Sequence, residues 1–230
     1  MSRFILSLKV PDETTVCKFR HLLERNDCGA RIFARVNGHL QRKGMRISAG
    51  TIVDATIISA PSSTKNVRGE RDPEMHQTRK GKQWYFGMKA HVGVDSQRKL
   101  IHSVVATAAN VADSQVLPHL LHGEEECVWG DQAYRGQSEV IHQRAPQARD
   151  CTHQRYRYQG RIDEVERAKN RTKSRVRSKV EHVFGVMKLK FGFTKVRYRG
   201  LPKNANRLFT TCALVNLFLM RKQLLCTTAG

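Results

Sequence analysis

The stretch TIVDATIISAP, residues 51–61, decides the fold, because it is the first segment with a clear β-strand pattern. Its β-branched residues run through most of its length, and Pro61 marks its end. One acidic residue, Asp54, lies inside it between Val53 and Ala55. A carboxylate within an apolar strand costs free energy unless another group pairs with it. Taken alone, Asp54 is explained equally well as a solvent-facing residue of an edge strand.

Three further segments downstream carry strand patterns. WYFGMKAHVGV and LIHSVVATAA, which begin at Trp84 and Leu100, are joined by the short turn DSQRK and predict a hairpin. ECVWGD, which ends at Asp131, predicts a short buried strand. The polar, charged residues 62–83 predict a loop, and residues 136–159 predict irregular structure.

Helical patterns occupy both ends of the chain. PDETTVCKFRHLLE (11–24) and ARIFARVNGHLQRK (30–43) place apolar residues at helical spacing. A long basic helix is expected over residues 163–190, followed by the apolar helix NRLFTTCALVNLFLMRKQLL (206–225). NVADSQVLPHLL predicts a helix start capped by Asp113. This order of elements predicts an α/β fold, a mixed sheet flanked by helices.

The charge of the chain points to a polyanionic partner. The 230 residues carry a formal net charge of +21 with a pI near 10.3. Nucleic acid is the commonest partner of such a chain. A merely soluble basic protein, or one that coats an anionic membrane, is the less favoured alternative.

The cysteines and the hydropathy exclude two other classes. Six cysteines, with no CxxC pair, are expected to be reduced and mostly buried. A zinc site could be drawn from two of them with His119 and His122, but the spacing fits no zinc-finger pattern. The apolar run of residues 212–220 contains Asn216 and is too short to span a bilayer, so no membrane is expected as a partner.

The stretch SKVEHVFGVMK, residues 178–188, holds the only acidic residue after Glu166, although sixteen Lys and Arg follow that position. At about 100° per residue, one helical stripe consists of Val176, Val180, Val183 and Met187. A second stripe, about a quarter-turn away, consists of Arg177, Glu181, Phe184 and Lys188. Glu181 is therefore expected at the edge of the buried face. An ion pair with Arg177 one turn earlier is the alternative explanation.

Asp54, Asp131 and Glu181 could meet at one point of such a fold. If the first three strands form a meander, the first and fourth strands can lie side by side, and the long helix can cross them. Three close carboxylates repel one another unless a cation lies between them. Oxygen ligands suit Mg²⁺ or Mn²⁺, and two ions about 3.5–4 Å apart support phosphoryl transfer. Taken alone, Asp131 is better explained as a turn or helix-cap aspartate.

The remaining acidic residues are expected to be structural or solvated. Asp95 lies in the hairpin turn, and Asp113 is assigned to a helix cap. Asp72, Glu74 and residues 124–126 are expected to be solvated loop charges.

Five sequence blocks, taken in order, resemble the bacterial insertion-sequence transposases of the DDE type, in the group that includes insertion sequence five. The blocks are IVDATIISAPSSTKN, WYFGMKAHVGVD, ANVADSQVL, GDQAYRG and RSKVEHVFGVMK. The resemblance implies a ribonuclease H-like catalytic domain over residues 49–226, preceded by a residual N-terminal helical segment, residues 1–48. Part of the N-terminal region of such transposases, which helps to recognise terminal inverted repeats, is expected to be missing.

The resemblance also implies the roles of individual residues. The catalytic triad, which would bind two Mg²⁺ or Mn²⁺ ions, corresponds to Asp54, Asp131 and Glu181. Arg177 and Lys188 match the arginine and lysine of the family's Tyr, Arg, Glu, Lys signature, whereas Ser174 stands at its tyrosine position. The residues expected to contact DNA are Arg177, Lys188, Lys65, Lys173 and Arg175.

The expected function is therefore DNA transposition, with double-stranded DNA (terminal inverted repeats and target) as the partner. A homodimer acting in the bacterial cytoplasm at the nucleoid is expected. Residues 144–199 carry seventeen Lys and Arg against five acidic residues and would supply non-specific affinity. The alternative is a truncated, catalytically inactive DNA-binding remnant that inhibits the intact enzyme. RNA binding is less favoured, because the aromatic residues show no regular interleaving.

Overall fold

The centre of the fold is a six-stranded mixed sheet. In this computed structural model, which describes residues 11–45, 49–67 and 69–226, the strands are β1 (Gly50–Ser59), β2 (His76–Lys80), β3 (Gln83–Asp95), β4 (Ile101–Ala108), β5 (Cys127–Trp129) and β6 (Arg149–Asp150). The strand β3 pairs antiparallel with β1, β2 and β4, whereas β1, β5 and β6 run parallel. The predicted α/β class with a mixed sheet is confirmed.

Each strand predicted from apolar or β-branched residues is present. β3 and β4 form the predicted hairpin, with Val92 opposite Val104. The predicted short strand is β5, which lies beside β1 as expected and places Trp129 opposite Ile52. Because β1 is much longer than β5, residues 53–59 continue beyond the parallel pairing.

The helices flank this sheet. They are α1 (Glu13–Arg25), α2 (Cys28–Arg42), α3 (Asp113–Val116), α4 (Ser138–Arg144), α5 (Glu164–Leu189) and α6 (Leu201–Cys226), and a small hairpin of β7 (Arg157–Tyr158) and β8 (Arg161–Ile162) precedes α5. The predictions of α1, α2, α5 and α6 are confirmed. Residues 1–10 and 46–48 of the expected N-terminal segment lie outside the described residues.

The long helix α5 begins where the sequence indicates. Asp163 is its N-cap, and the Asp163 carboxylate accepts a hydrogen bond of 3.0 Å from the Glu166 N–H. Val180, Val183 and Met187 are buried against the sheet, which confirms the predicted apolar stripe.

Three local predictions were wrong. β2 lies within residues 62–83, predicted as a loop, because all but one of its residues are exposed and no apolar alternation marks it. Residues 136–159, predicted as irregular, contain α4 and β6. Asp113 does not cap α3: the N-cap is Ala112, and Asp113 is the first helical residue.

Each face of the sheet has its own core. On one face, α5 and α6 pack on the strands through a large apolar cluster that includes Ile52, Met88, Val92, Val183 and Leu208. On the other face, α3, α4 and the segment after β5 form a smaller cluster. Its residues are Val53, Val116, Leu117, Leu120, Val128, Tyr134, Ile141, Ala145 and Ala148. Since both faces are covered, β1 and β5 are central strands of a sandwich of helices around a sheet.

One helix of the described chain, α6, is long and apolar enough to cross a membrane by length and composition alone. The sequence analysis therefore underestimated the length of this apolar segment, which it gave as residues 212–220. The helix packs on α2 and β4 inside the fold, and its Leu208, Cys212 and Val215 are fully buried. Asn216 is also buried, and its side chain bonds both the N–H (2.9 Å) and the C=O (2.8 Å) of Ile101. A polar side chain that bonds the edge of a sheet belongs to a core helix.

Several acidic residues assigned to solvent have structural partners instead. Glu125 is buried and accepts hydrogen bonds from the N–H groups of His122 (2.6 Å) and Gly123 (2.8 Å). The Asp72 carboxylate accepts a hydrogen bond from the Gly200 N–H, and the Glu74 carboxylate accepts one from the Leu201 N–H. These two bonds cap the start of α6. The expectation of solvated charges was wrong at the buried Glu125 and the half-buried Asp72, whereas Glu74 is exposed as expected. The structural role expected for Asp95 is present, since its buried carboxylate accepts N–H groups of the hairpin turn.

The cysteines are all free thiols. The expectation that most are buried was wrong, because only Cys212 is buried, whereas Cys17 and Cys226 are exposed. Cys127 lies on β5 and Cys151 directly follows β6, and both are half-buried.

Candidate active site

A cleft of about 350 Å³ opens where β1 continues past the end of β5. Asp54 projects from this part of β1, Asp131 follows β5 by two residues, and Glu181 comes from α5. The residues that line the cleft are Asp54, Ala55, Thr56, Ile57, Thr78, Arg79, Lys80, Lys89, Asp113, Asp131, Arg177, Glu181 and Phe184. The three acidic residues singled out in the sequence therefore face one space, across three different elements.

The Asp54 carboxylate is held in a fixed position. One oxygen accepts the Ala55 N–H at 2.8 Å, and the other pairs with the Arg177 guanidinium at 3.0 Å. Burial raises the pKa of the Asp54 carboxyl, outweighing the opposing effect of Arg177, and the nearby Asp131 carboxylate raises this pKa further. The Asp54 carboxyl is thus desolvated, and a further cation beside it would favour its ionised form.

Asp131 serves as a cap and also faces the cleft. Its Oδ1 accepts the Ala133 N–H at 2.9 Å at the start of a 3₁₀ turn, Gln132–Tyr134. The cap role considered from the sequence is therefore present. It uses one oxygen of a half-buried carboxylate that also lines the cleft.

Glu181 lies on the stripe of α5 that the helical phase defines. Phe184 on this stripe is buried, and Arg177 and Lys188 are half-buried, whereas the Glu181 side chain is exposed in the cleft. The Arg177 guanidinium is engaged by Asp54 on β1. The long-range ion pair therefore takes the place of the local pair with Glu181 that the sequence left open.

The three carboxylates suit a hard divalent cation by their chemistry, since all their ligand atoms are oxygens. Within residues 11–45, 49–67 and 69–226, however, no three His, Cys, Asp or Glu side chains are grouped closely enough to hold a metal ion. Asp54 and Asp131 interact electrostatically, and Glu181 lines the same cleft from α5.

A fourth carboxylate in the cleft, Asp113, was missed in the sequence analysis. It pairs with the Lys89 ammonium at 2.9 Å, and Lys89 also donates to the Val111 carbonyl at 2.8 Å. Asp54 was singled out because it is a charge inside an apolar strand. Lys89 in β3 is also such a charge, so the same criterion could have identified it. Its partner, 24 residues away in sequence, carries no such signal.

Two buried polar side chains lie beside Asp113. The His91 Nδ1 is 3.8 Å from the Asp113 carboxylate, and the His91 Nε2 bonds the Thr107 hydroxyl at 2.8 Å. Burial lowers the pKa of His91 to about 4, although the Asp113 charge acts in the opposite direction. Burial raises the pKa of the Tyr134 phenol, and the surrounding carboxylates add to this effect. Among the described residues, no hydrogen-bond partner of the Tyr134 hydroxyl is found.

The residues expected to contact DNA are only partly brought together. Arg177 lines the cleft, and Lys188 lies near its margin, where burial and the neighbouring Lys80 charge lower the pKa of Lys188. Lys173 donates to the Thr152 carbonyl at 2.8 Å. Lys65, Lys173 and Arg175 lie outside the cleft lining. Ser174, at the position where the resembled family has tyrosine, bonds the Asn170 carbonyl at 2.9 Å.

Comparison with known proteins agrees with this geometry. A family described as "Transposase DDE domain" matches residues 47–217, about three quarters of the chain, and this range contains every residue that lines the cleft. No solved structure matches the chain significantly. Because the match extends over most of the chain, this protein belongs to the family of transposase DDE domains, enzymes that transfer phosphoryl groups of DNA.

Proposed function

We propose that this chain cuts the ends of an insertion sequence of the insertion-sequence-five group and joins them to target DNA. The observation that carries the proposal is the convergence of Asp54, Asp131 and Glu181 on one cleft with basic margins. In the first reaction, water attacks the scissile phosphorus, a new P–O bond forms, and the released 3′ oxygen takes up a proton. In the second, this 3′ hydroxyl attacks a phosphorus of the target, the P–O3′ bond of the target strand breaks, and the released target 3′ oxygen takes up the proton.

In this proposal Asp54, Asp131 and Glu181 hold two Mg²⁺ or Mn²⁺ ions. When bound, such ions supply Lewis-acid stabilisation of the attacking and leaving oxygens. Asp54 is already desolvated and Asp131 is fixed by its bond to the Ala133 N–H, so both are preorganised as ligands. Glu181, which is exposed in the same cleft, would complete the set.

Basic residues of the cleft would orient the DNA. Arg177 offers a planar guanidinium at the centre of the cleft, where it can bond the oxygens of a phosphate. The neighbouring ammonium groups of Lys80 and Lys188 repel each other, and this repulsion is relieved when a phosphate lies between them. The DNA strand would therefore cross the cleft between α5 and β2.

A specific observation favours a second candidate function, an inactive DNA-binding remnant. The Arg177 guanidinium forms an ion pair with the Asp54 carboxylate at 3.0 Å. Among the described residues, no three acidic side chains are grouped closely enough to hold an ion. A chain that retained this arrangement on DNA would bind without cutting. It would compete with an intact transposase for the same DNA.

Nicking of supercoiled plasmid DNA separates the two functions. With Mg²⁺ or Mn²⁺, we expect the wild type to nick DNA, and we expect Glu181→Gln to fall to the level of a protein-free control. The variant should still bind DNA, because removing a negative charge does not weaken attraction to phosphates. Glu164→Gln is the matched control, since Glu164 is an exposed glutamate on the same helix. If wild type and Glu181→Gln bind DNA equally and neither nicks it, the inactive remnant is the correct function.

We further propose that the working form is a homodimer on terminal inverted repeats, in the bacterial cytoplasm at the nucleoid. The support is the net charge of +21, which favours dense polyanions. Light scattering of the protein with one duplex and with paired duplexes measures the stoichiometry directly.

A further inference from the structure

The strands β2 and β3 form a two-stranded arm at one wall of the cleft, which we define as residues 76–86. β1 pairs with β3 from Gly87 onward and β4 from Met88 onward. At the base of the arm, the Ala60 N–H donates to the Phe86 carbonyl at 2.8 Å. Within the described residues, the strand pairing of positions 83–86 is with β2 alone. The arm therefore projects beyond the body of the sheet.

The arm carries three basic residues and no acidic one. Arg79, Lys80 and Lys82 lie at its tip, and no acidic residue occurs between Met75 and Val94. Thr78, Arg79 and Lys80 belong to the lining of the candidate active site. DNA that occupies the cleft must therefore run against this arm.

The tip of the arm carries an exposed tryptophan. The Trp84 side chain is 63% exposed, and it stands directly opposite Arg79 on β2. The Arg79 guanidinium lies 6.0 Å from the centroid of the indole ring. Such a cross-strand pair stabilises the arm. It leaves most of the indole in water, which is unfavourable for the largest aromatic side chain unless a partner covers it.

We propose that the arm enters a groove of the duplex bound at the cleft, with its three cations on phosphates and the Trp84 indole packed against the DNA. This inference rests on the proposed function and names a contact outside the carboxylate site. A two-stranded ribbon has the width that the major groove of B-DNA admits. Aromatic side chains contact bases irrespective of sequence, whereas Lys and Arg neutralise the backbone. Charge, shape and exposed aromatic surface therefore indicate one partner, duplex DNA.

The chain holds two tryptophans, which makes the contact measurable by fluorescence. Trp129 is half-buried and packs against the main core, so of the two tryptophans only Trp84 lies on the arm. In a Trp129→Phe variant, a saturating unlabelled duplex should quench Trp84 emission and roughly halve its quenching by acrylamide, since the groove covers one face of the indole. The difference between wild type and Trp84→Phe gives the same signal with Trp129 intact.

Affinity supplies a second measurement, by anisotropy of a labelled duplex. Trp84→Leu keeps an apolar partner for the Arg79 stem and should weaken binding about 5- to 20-fold, with an unchanged salt slope. Lys82→Gln should reduce the slope of log affinity against log salt by about 1. Phe19→Leu is the control, because Phe19 is an equally exposed aromatic, 60% exposed, on the distant helix α1.

The outcomes distinguish this inference from the proposed function. If the labelled duplex binds while Trp84 emission and acrylamide quenching stay unchanged, the arm does not contact DNA and the inference is overturned, although DNA binding stands. If no duplex binds at low salt, both fail together. Protection of Trp84 with a selective loss of affinity in Trp84→Leu supports the arm as a DNA contact.

Discussion

At the scale of single residues, the carboxylates of the cleft have structural partners as well as candidate chemical roles. Asp131 caps a 3₁₀ turn, Asp54 pairs with Arg177, and Asp113 pairs with Lys89. Each partner fixes a carboxylate that would otherwise move, and each lowers the cost of placing an anion in a partly buried site. A structural explanation of an acidic residue therefore does not exclude a catalytic one.

The buried His91 predicts a pH dependence of stability. The pKa of His91 is depressed to about 4 in the folded chain, against about 6.5 when unfolded, so the unfolded state binds more protons between these values. Its contribution to stability is present above pH 6.5 and is lost as pH falls towards 4, by up to about 3 kcal/mol. We expect His91→Gln to flatten the dependence of the urea midpoint on pH in this window. His142→Gln, at an exposed histidine, should leave that dependence unchanged.

At the scale of elements, α5 connects the charge of the chain to the cleft. Its N-terminal half is polar and exposed, whereas its C-terminal half buries Val180, Val183 and Met187 on the sheet. This packing places Arg177 and Glu181 over β1, so the position of α5 determines the geometry of the site.

The N-cap of α5 gives a stability prediction. Asp163→Ala removes the side-chain acceptor of the Glu166 N–H and should lower the free energy of unfolding by about 1 kcal/mol, whereas Asp163→Asn should retain most of it. Asp12→Ala removes the equivalent bond at α1 (2.6 Å). Because α1 buries no residue, that change should affect global unfolding much less. Urea denaturation followed by circular dichroism measures both, and equal losses would contradict the expectation.

The elements that could be predicted from the sequence are those that bury a face. β1, β3 and β5 carry apolar or β-branched residues, and α5 has a helical stripe, because burial imposes those patterns. β2 could not be found, since all but one of its residues are exposed and no apolar alternation marks it. In the cleft, Asp54 and Glu181 stood out as charges in unusual surroundings. Lys89 carries the same signal in β3, whereas its pairing with Asp113 depends on tertiary contact and could not be predicted.

At the scale of the whole molecule, part of the positive charge lies at the margins of the cleft. Basic residues of β2, its turn and α5 surround a cleft that contains four carboxylates. An acidic site within a basic margin allows phosphates to bind at the margin while cations are attracted to the centre.

The charge distribution predicts a steep effect of salt on DNA affinity. Five cations at the cleft and arm, Arg79, Lys80, Lys82, Arg177 and Lys188, correspond to a slope of log affinity against log salt near −4.5. Affinity should then fall roughly 500-fold between 50 and 200 mM salt. Anisotropy of a labelled duplex across this range tests the expectation. A nearly flat slope would refute electrostatic binding.

The packing of α6 also bears on how the chain is made. The apolar sheet face that α6 covers, with Ile52, Met88 and Val92, is synthesised well before its cover. At about 5–20 residues per second, roughly 10 to 35 seconds separate the emergence of β1 from that of the end of α6. The nascent chain must hold this surface open for the whole interval. Folding is therefore completed only after residues 201–226 leave the ribosome, and until then this apolar face lacks its cover.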